Sequence, residues 1–166
     1  MRYVLLLMLL LPALSQADLA SATQRFLASE SAGEPLQWWL DGADRDMGTE
    51  ILGHAPGYLR LRYWPVDGGT VWIMDEIGKE RPITVGVVVR AGAITRVKVL
   101  EYRESRGGEV RYPFFTKQFQ GATLHEQQLD RSIDGISGAT LSVRAVRNVA
   151  RLALYLDARV SAGRTP

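Results

Sequence analysis

Residues 83–102 read ITVGVVVRAGAITRVKVLEY and decide the fold of this chain. Apolar side chains recur at every second position from Ile83 to Val89, which is typical of one face of a β-strand. The segment Ala91-Gly92-Ala93 favours a turn, and Ile94–Tyr102 resumes as a strand with Val97 and Val99 facing inward. The pattern predicts an antiparallel hairpin.

A second hairpin is predicted just before the first one. Residues alternate between apolar and polar from Tyr58 to Trp64, and Leu59, Leu61 and Tyr63 share one face. Asp67-Gly68-Gly69 is a strong turn signal, after which an apolar strand resumes at Val71. The two hairpins together predict four strands.

Four further segments carry weaker patterns. A short helix is predicted over Ser21–Ala32 and another over Phe114–Phe119, where Phe115 and Phe119 are spaced for one helical face. The polar segment Asp41–Thr49 resembles a loop, whereas Leu124–Ile133 reads as an extended linker or a short strand.

The chain closes with an amphipathic helix over Leu141–Arg159. Its apolar residues fall on a single face; they are Ala145, Val146, Val149, Leu152, Ala153, Leu156 and Val160. Helix, four strands and further helices predict an α+β domain, in which an antiparallel sheet of hairpins packs against helices.

The turn before the closing helix reads Asp134-Gly135-Ile136-Ser137-Gly138-Ala139-Thr140. Ser137 and Thr140 are predicted N-cap residues for the helix. A helix start stabilises a phosphate through free backbone N–H groups, and the small Gly138 and Ala139 allow close approach. The segment therefore predicts either a phosphate-binding turn or an ordinary capped helix.

The N-terminus has the pattern of an exported protein. Arg2 is followed by an apolar run from Val4 to Leu14, and Ser15-Gln16-Ala17 has small residues before a cleavage site. These features predict a signal peptide that is cut after Ala17, with a retained membrane anchor as the alternative. The predicted location is periplasmic or extracytoplasmic, with membrane association left open.

Composition excludes several classes of protein. The 166 residues include no cysteine, which excludes disulfides and thiolate-bound clusters. The formal net charge is +2 and falls to about neutral without Arg2, so no nucleic-acid partner is expected. His54 and His125 lie far apart in sequence, and no metal site is predicted from them.

The Asp-x-x-Ser-Gly-Ala-Thr motif ending at Thr140 resembles the attachment motif of the FMN-binding domain family. This family includes the C subunit of the sodium-translocating NADH:quinone reductase and the G subunit of the Rnf complex. The central hairpin and Phe115–Phe119 are also similar to the family. Glu104-Ser105-Arg106-Gly107 resembles the family's Glu-Thr-Pro-Gly loop, but departs from it at Ser105 and Arg106.

The resemblance implies FMN bound covalently, through its phosphate, to Thr140. A flavin transferase would attach it, using FAD as donor. The residues implied in cofactor binding lie in the motif and in the similar loop; they are Thr140, Ser137, Gly138, Ala139, Asp134, Glu104, Ser105 and Gly107. For Asp134, recognition by the transferase and capping of the turn remain two alternatives.

The resemblance implies an electron carrier between a membrane-bound donor and an extracytoplasmic acceptor. A flavin-dependent reductase acting directly on a small acceptor and a flavin-free binding or assembly module remain alternatives.

The predicted organisation is a signal peptide at 1–17, an N-terminal helix and hairpin of the same domain at 18–81, an FMN-binding core at 82–160 and a tail at 161–166. Arg144, Arg147 and Arg151 are predicted on the outer face of the last helix, either solvated or facing an acidic redox partner.

Overall fold

A five-stranded antiparallel sheet forms the centre of the molecule. The computed structural model describes the backbone of residues 2–163 and the side chains of residues 16–163. The strands are β1 (Leu36–Trp39), β2 (Arg60–Val66), β3 (Gly69–Ile77), β4 (Pro82–Arg90) and β5 (Ala93–Tyr102). They lie side by side in chain order, and each pairs antiparallel with the next. Both predicted hairpins are confirmed, as is the α+β class.

Strand β4 is buried on both of its faces, because helices cover both sides of the sheet. The residues from Ile83 to Val89 are all buried. Helix α4 (Thr140–Gly163) covers one face, and its predicted apolar stripe is buried throughout. On the other face, Phe26 of helix α1 (Arg2–Ser29) packs against Val71 and Val88.

The prediction of a loop at Asp41–Thr49 is wrong. Helix α2 (Gly42–Leu52) occupies this segment and begins with a reciprocal cap. The Asp44 backbone N–H donates to Asp41 Oδ1 at 2.8 Å, and Asp44 Oδ2 accepts from the Asp41 N–H at 3.4 Å. Gly53 ends the helix in the left-handed conformation, with φ 81°.

The segment after β5 folds back against that strand. Helix α3 (Pro113–Thr116) continues into a 3₁₀ turn at Lys117–Phe119. Phe115 and Phe119 are fully buried with their rings edge to face, which confirms the predicted helical face. The short strands β6 (Leu124–His125) and β7 (Gln128–Leu129) form a small hairpin within the predicted linker.

Helix α1 begins much earlier than the predicted short helix at Ser21–Ala32 and ends at Ser29. The side chains of the predicted signal core lie outside the described residues, as do residues 164–166 of the predicted tail. No helix in the described part of the chain is both long and apolar enough to cross a membrane.

Candidate functional site

A tight turn leads the chain into helix α4. The Ala139 N–H donates to the Ile136 carbonyl at 2.9 Å, which makes Ser137 and Gly138 the central residues of the turn. Gly138 has φ 77°, a conformation that favours glycine because it lacks Cβ. The sequence Ser-Gly before Ala139 therefore determines how the chain enters the helix.

The helix begins without a side-chain cap, which contradicts the prediction that Ser137 and Thr140 cap it. The first residue of α4 is Thr140, and the Val143 N–H donates to the Ala139 carbonyl at 2.9 Å. No described side chain accepts a hydrogen bond from the N–H of Thr140, Leu141 or Ser142. These N–H groups and the positive end of the helix dipole remain available to an anion.

The Thr140 hydroxyl is exposed and makes no hydrogen bond with the described residues. It lies at a cleft of about 300 Å³ between the start of α4 and two loops. One wall contains Gly138, Ala139, Thr140, Leu141 and Ser142. The opposite wall contains Lys79, Glu80, Glu104, Ser105 and Arg106. We call this space the Thr140 cleft.

Five of the predicted site residues therefore line one cleft; they are Thr140, Gly138, Ala139, Glu104 and Ser105. Ser137 is exposed on the adjoining turn and does not line the cleft. Asp134 also lies outside the Thr140 cleft, and its backbone N–H donates to Gln118 Oε1 at 2.7 Å. The Asp134 carboxylate makes no hydrogen bond with the described residues, so it does not cap the turn.

Glu104 holds the connection between β3 and β4. Its Oε1 accepts hydrogen bonds from the backbone N–H groups of Lys79, Glu80 and Arg81, the last two at 2.7 and 3.0 Å. The bonds from Arg81 and Glu80 lower the pKa of Glu104, because they favour the charged carboxylate. Glu104 thereby positions Lys79 and Glu80 on the cleft wall.

Gly107 packs against the start of α4 rather than lining the cleft. Its φ is 83°, and a Cβ at this position would lie 2.9 Å from the Ala139 Cβ. The Tyr102 hydroxyl bonds the Arg106 carbonyl and lies 2.9 Å from Ser142 Oγ. These contacts dock the 104–107 loop onto the first turn of the helix.

Sequence reasoning missed Lys79, Glu80, Arg106, Tyr102 and Ser142 as site residues. Lys79 and Glu80 belong to a short polar connection, which carries no signal for a site. Tyr102 and Ser142 are separated by 40 residues in the chain. Only the tertiary fold brings these groups together.

The predicted outer face of α4 needs one correction. Arg144 and Arg147 are exposed, but Arg151 is buried. Its Nη1 donates to the Ile51 carbonyl at 3.2 Å, and its Nε donates to the Gln127 carbonyl. Burial lowers the pKa of Arg151. This side chain ties α4 to α2 and to the β6–β7 hairpin, so it is not a docking residue.

His54 belongs to a separate cluster beside α4. Its Nε2 lies 2.9 Å from Oε1 of the buried Glu76, and its Nδ1 lies 3.0 Å from the Ala55 carbonyl. The hydrogen bond to Glu76 raises the pKa of His54, since both ring nitrogens face oxygen acceptors. In the described residues, no group of three His, Asp or Glu side chains is arranged to hold a metal ion.

Residues 78–155 match the model of a family described as the FMN-binding domain. This segment belongs to that family. The matched residues include both walls of the Thr140 cleft, from Lys79 to Ser142. The match to this family therefore indicates FMN as the cofactor. A separate comparison of the chain with curated proteins found no match.

Proposed function

We propose that this chain is an exported flavoprotein that carries FMN covalently on Thr140. It would pass electrons between a membrane-bound donor and an extracytoplasmic acceptor. The observation that carries the proposal is the exposed, unbonded Thr140 hydroxyl at the uncapped start of α4 within the matched domain. The other residues of the cleft support it.

The Thr140 cleft suits a phosphoester. The uncapped N–H groups of Thr140, Leu141 and Ser142 favour a negative charge at this end of the helix. Lys79 adds a cation on the opposite wall, and its ammonium pairs with Glu80 only at 3.8 Å. A phosphate on Thr140 would therefore be stabilised by backbone dipoles, while the cations Lys79 and Arg106 balance the carboxylates Glu80 and Glu104 on the opposite wall.

Thr140 would be a substrate residue for the flavin transferase. An unassisted Thr hydroxyl is a weak nucleophile, and no described carboxylate or imidazole hydrogen-bonds to Thr140. Glu104 also lines the cleft, but its Oε1 is committed to the Lys79–Arg81 backbone. We infer that the transferase supplies the activating base, whereas this chain presents the hydroxyl.

FMN itself would supply the redox chemistry when bound. The chain would retain and position the cofactor, because the Tyr102–Ser142 hydrogen bond fixes the loop against the helix. Covalent attachment would prevent loss of FMN outside the cytoplasm.

Intact mass tests the attachment. The full-length gene is expressed with an active flavin transferase and, in parallel, without it. We expect the exported protein to gain the mass of one FMN less one water only when the transferase is present. An exported protein of unchanged mass, from cells whose transferase modifies a known substrate, would favour the flavin-free binding module.

The proposed signal peptide predicts where the mature protein begins. We expect N-terminal sequencing to begin at Asp18, because the residues before it match a signal-peptidase site. The control is a variant with Ala17→Leu, which should slow the cleavage. A product that retains Met1 and remains in the membrane fraction would indicate a retained anchor.

Glu104 predicts an effect on the flavin potential. Its carboxylate places a negative charge on the wall of the Thr140 cleft, which disfavours the more negatively charged, reduced flavin. We expect Glu104→Gln and Glu104→Ala both to raise the midpoint potential in a redox titration. The midpoint potential should rise further in Glu104→Ala. This variant also removes the oxygen that accepts hydrogen bonds from the backbone N–H groups of Lys79, Glu80 and Arg81.

The Glu104 comparison separates charge from structure. Glu104→Gln keeps an oxygen that can accept from the backbone but removes the charge. If Glu104→Gln titrates like the unmodified protein while only Glu104→Ala shifts, Glu104 acts through the fold of the connection. Intact mass confirms that Thr140 remains modified in both variants.

A further inference from the structure

A basic groove lies beside β5 and is separate from the Thr140 cleft. Its volume is about 310 Å³. Four cationic side chains line it, Arg96, Lys98, Arg111 and Lys117, and none of its lining residues is acidic. We call it the basic groove. A concave surface with charges of one sign attracts a ligand of the opposite sign.

The charges of the basic groove are only partly neutralised by the protein. Lys98 and Lys117 make no ion pair with the described residues. Arg96 pairs with Glu30 at 2.7 Å, but Glu30 also pairs with Arg90 at 3.1 Å. The single Glu30 carboxylate thus pairs with two guanidinium groups and cannot neutralise both. The groove therefore keeps a net positive charge.

Two exposed aromatic residues are sequence neighbours of a residue that lines the groove. The side chains of Tyr112 and Phe114 are 52% and 60% exposed, and their ring centroids are 6.4 Å apart. They flank Pro113, which lines the groove next to Arg111. Aromatic and Arg side chains are enriched in protein interfaces, where a few of them contribute most of the affinity.

Arg111 connects the basic groove to the start of α4. Its guanidinium carbon lies 5.6 Å from the centroid of the Tyr102 ring, and its Nε donates to the Gly108 carbonyl at 3.1 Å. The Tyr102 hydroxyl contacts Ser142 in the first turn of α4. The contacts from Arg111 through Tyr102 to Ser142 therefore connect the groove to the Thr140 cleft.

We propose that the basic groove docks an acidic segment of a protein redox partner. The redox role of this partner rests on the proposed function, whereas docking of the acidic segment does not need the flavin. The concave shape favours a protein segment over a membrane, because carboxylate side chains can enter between Lys98 and Lys117. A flat anionic bilayer cannot follow a concave surface in this way.

A glutamate-rich synthetic peptide serves as the probe. The isotope-labelled mature protein is titrated with it at low ionic strength, and backbone amide shifts are followed by NMR. We expect the largest shifts near Lys98, Arg111 and Lys117. The double variant Lys98→Glu/Lys117→Glu should bind about tenfold or more weakly, since each surface ion pair contributes up to about 1 kcal/mol.

Matched controls localise the binding. Arg45 and Arg62 are exposed, make no side-chain ion pair with the described residues, and lie on α2 and β2, away from β5. The double variant Arg45→Glu/Arg62→Glu removes the same charge and should retain the affinity. The neutral variant Lys98→Gln/Lys117→Gln should give an intermediate loss and should not disturb the fold.

Three results would overturn the proposal: shifts that are spread over the surface, equal losses in both charge-reversal variants, or no peptide binding. Phosphatidylglycerol vesicles that bind through Lys98 and Lys117 when the peptide does not would assign the groove to a membrane surface. The titration is repeated with Thr140→Ala. Thr140→Ala should still bind the peptide, because docking does not need the flavin. If the unmodified protein binds the peptide but gains no FMN from an active transferase, docking stands and only the attachment is rejected. Attachment of FMN without peptide binding would reject only the docking.

Discussion

Replacing Thr140 with Ala is expected to abolish covalent FMN without unfolding the protein. Thr140 provides the exposed hydroxyl at the start of α4, and that hydroxyl makes no hydrogen bond with the described residues. Its removal should therefore change the free energy of unfolding by at most ~0.5 kcal/mol. Intact mass after co-expression with the transferase measures the first effect, and urea unfolding measures the second.

Two other hydroxyls serve as controls for Thr140. Ser137 lies on the turn that precedes α4, and Thr123 lies in Gly121-Ala122-Thr123, which imitates the end of the motif. The Thr123 backbone N–H donates to Asp130 Oδ1 at 3.1 Å, in a loop outside the Thr140 cleft. We expect Ser137→Ala and Thr123→Ala to keep the full mass increment.

One measurement would contradict the assignment of Thr140 as the attachment residue. A Thr140→Ala protein that still gains one FMN in mass would place the attachment elsewhere. Peptide mapping would then identify the modified residue, with Ser137 and Thr123 as the first candidates. Fluorescence of the denatured protein on a gel distinguishes covalent from tightly bound flavin in each variant.

Strands β2 to β5 were predictable because their apolar residues recur in short runs and their turns contain glycine. β4 and β5 follow a period of two, and Ala91-Gly92 marks the connection. The closing helix was predictable for the same reason, since its apolar residues recur with helical spacing. In β5 and in the closing helix, periodicity and burial agree, so one sequence pattern indicates both. In β4 the pattern indicates the strand, but burial extends to both faces because α1 and α4 cover the sheet.

Helix α2 was missed because its sequence is polar and contains poor helix formers. Gly42, Gly48 and Thr49 all have low intrinsic helix propensity. The available signal was the acid at Asp41 with a second acid three residues later, which forms the cap. The Asn148 side chain bonds the Leu52 carbonyl, and Arg151 bonds that of Ile51, so contacts with α4 add to the stability of α2.

The site was predictable in its parts but not in its assembly. The motif at Thr140 and the loop at Glu104 could each be identified from the sequence. Their arrangement depends on the Tyr102–Ser142 hydrogen bond and on the close packing of Gly107 against Ala139. No residue spacing encodes such contacts, and the role of Glu104 in holding the Lys79–Arg81 backbone was equally hidden.

Replacing Asp44 with Ala is expected to lower the free energy of unfolding by about 3 kcal/mol. The Asp44 carboxylate is fully buried. Its Oδ1 accepts from Arg159 Nε at 2.8 Å and from the Tyr155 hydroxyl at 2.9 Å. Its Oδ2 accepts from Trp38 Nε1 at 2.9 Å, so the substitution leaves three donors without their acceptor.

The loss should depend on pH. Burial alone would raise the pKa of Asp44, but hydrogen bonds from Arg159, Trp38 and Tyr155 outweigh it, and the pKa falls below its ordinary value of 3.8. The carboxylate therefore stabilises the fold above that value, and the contribution is lost as the pH falls through the lowered pKa. Urea unfolding of both proteins near neutral pH and at about pH 3 should show a smaller difference in unfolding free energy at the lower pH. Glu104 and Asp130, whose pKa is also lowered, are present in both proteins and do not affect this difference.

Asp46→Ala is the matched control, since Asp46 is exposed on the same helix and makes no hydrogen bond with the described residues. It should change the free energy of unfolding by at most ~0.5 kcal/mol. Equal losses for both variants would reject the buried network as a source of stability. Asp44 contacts Tyr155 and Arg159 in the C-terminal half of α4, roughly 22 to 28 Å along the helix from Thr140 at 1.5 Å per residue. The folded fraction of Asp44→Ala should therefore still accept FMN, because the attachment site and this anchor lie at opposite ends of one helix.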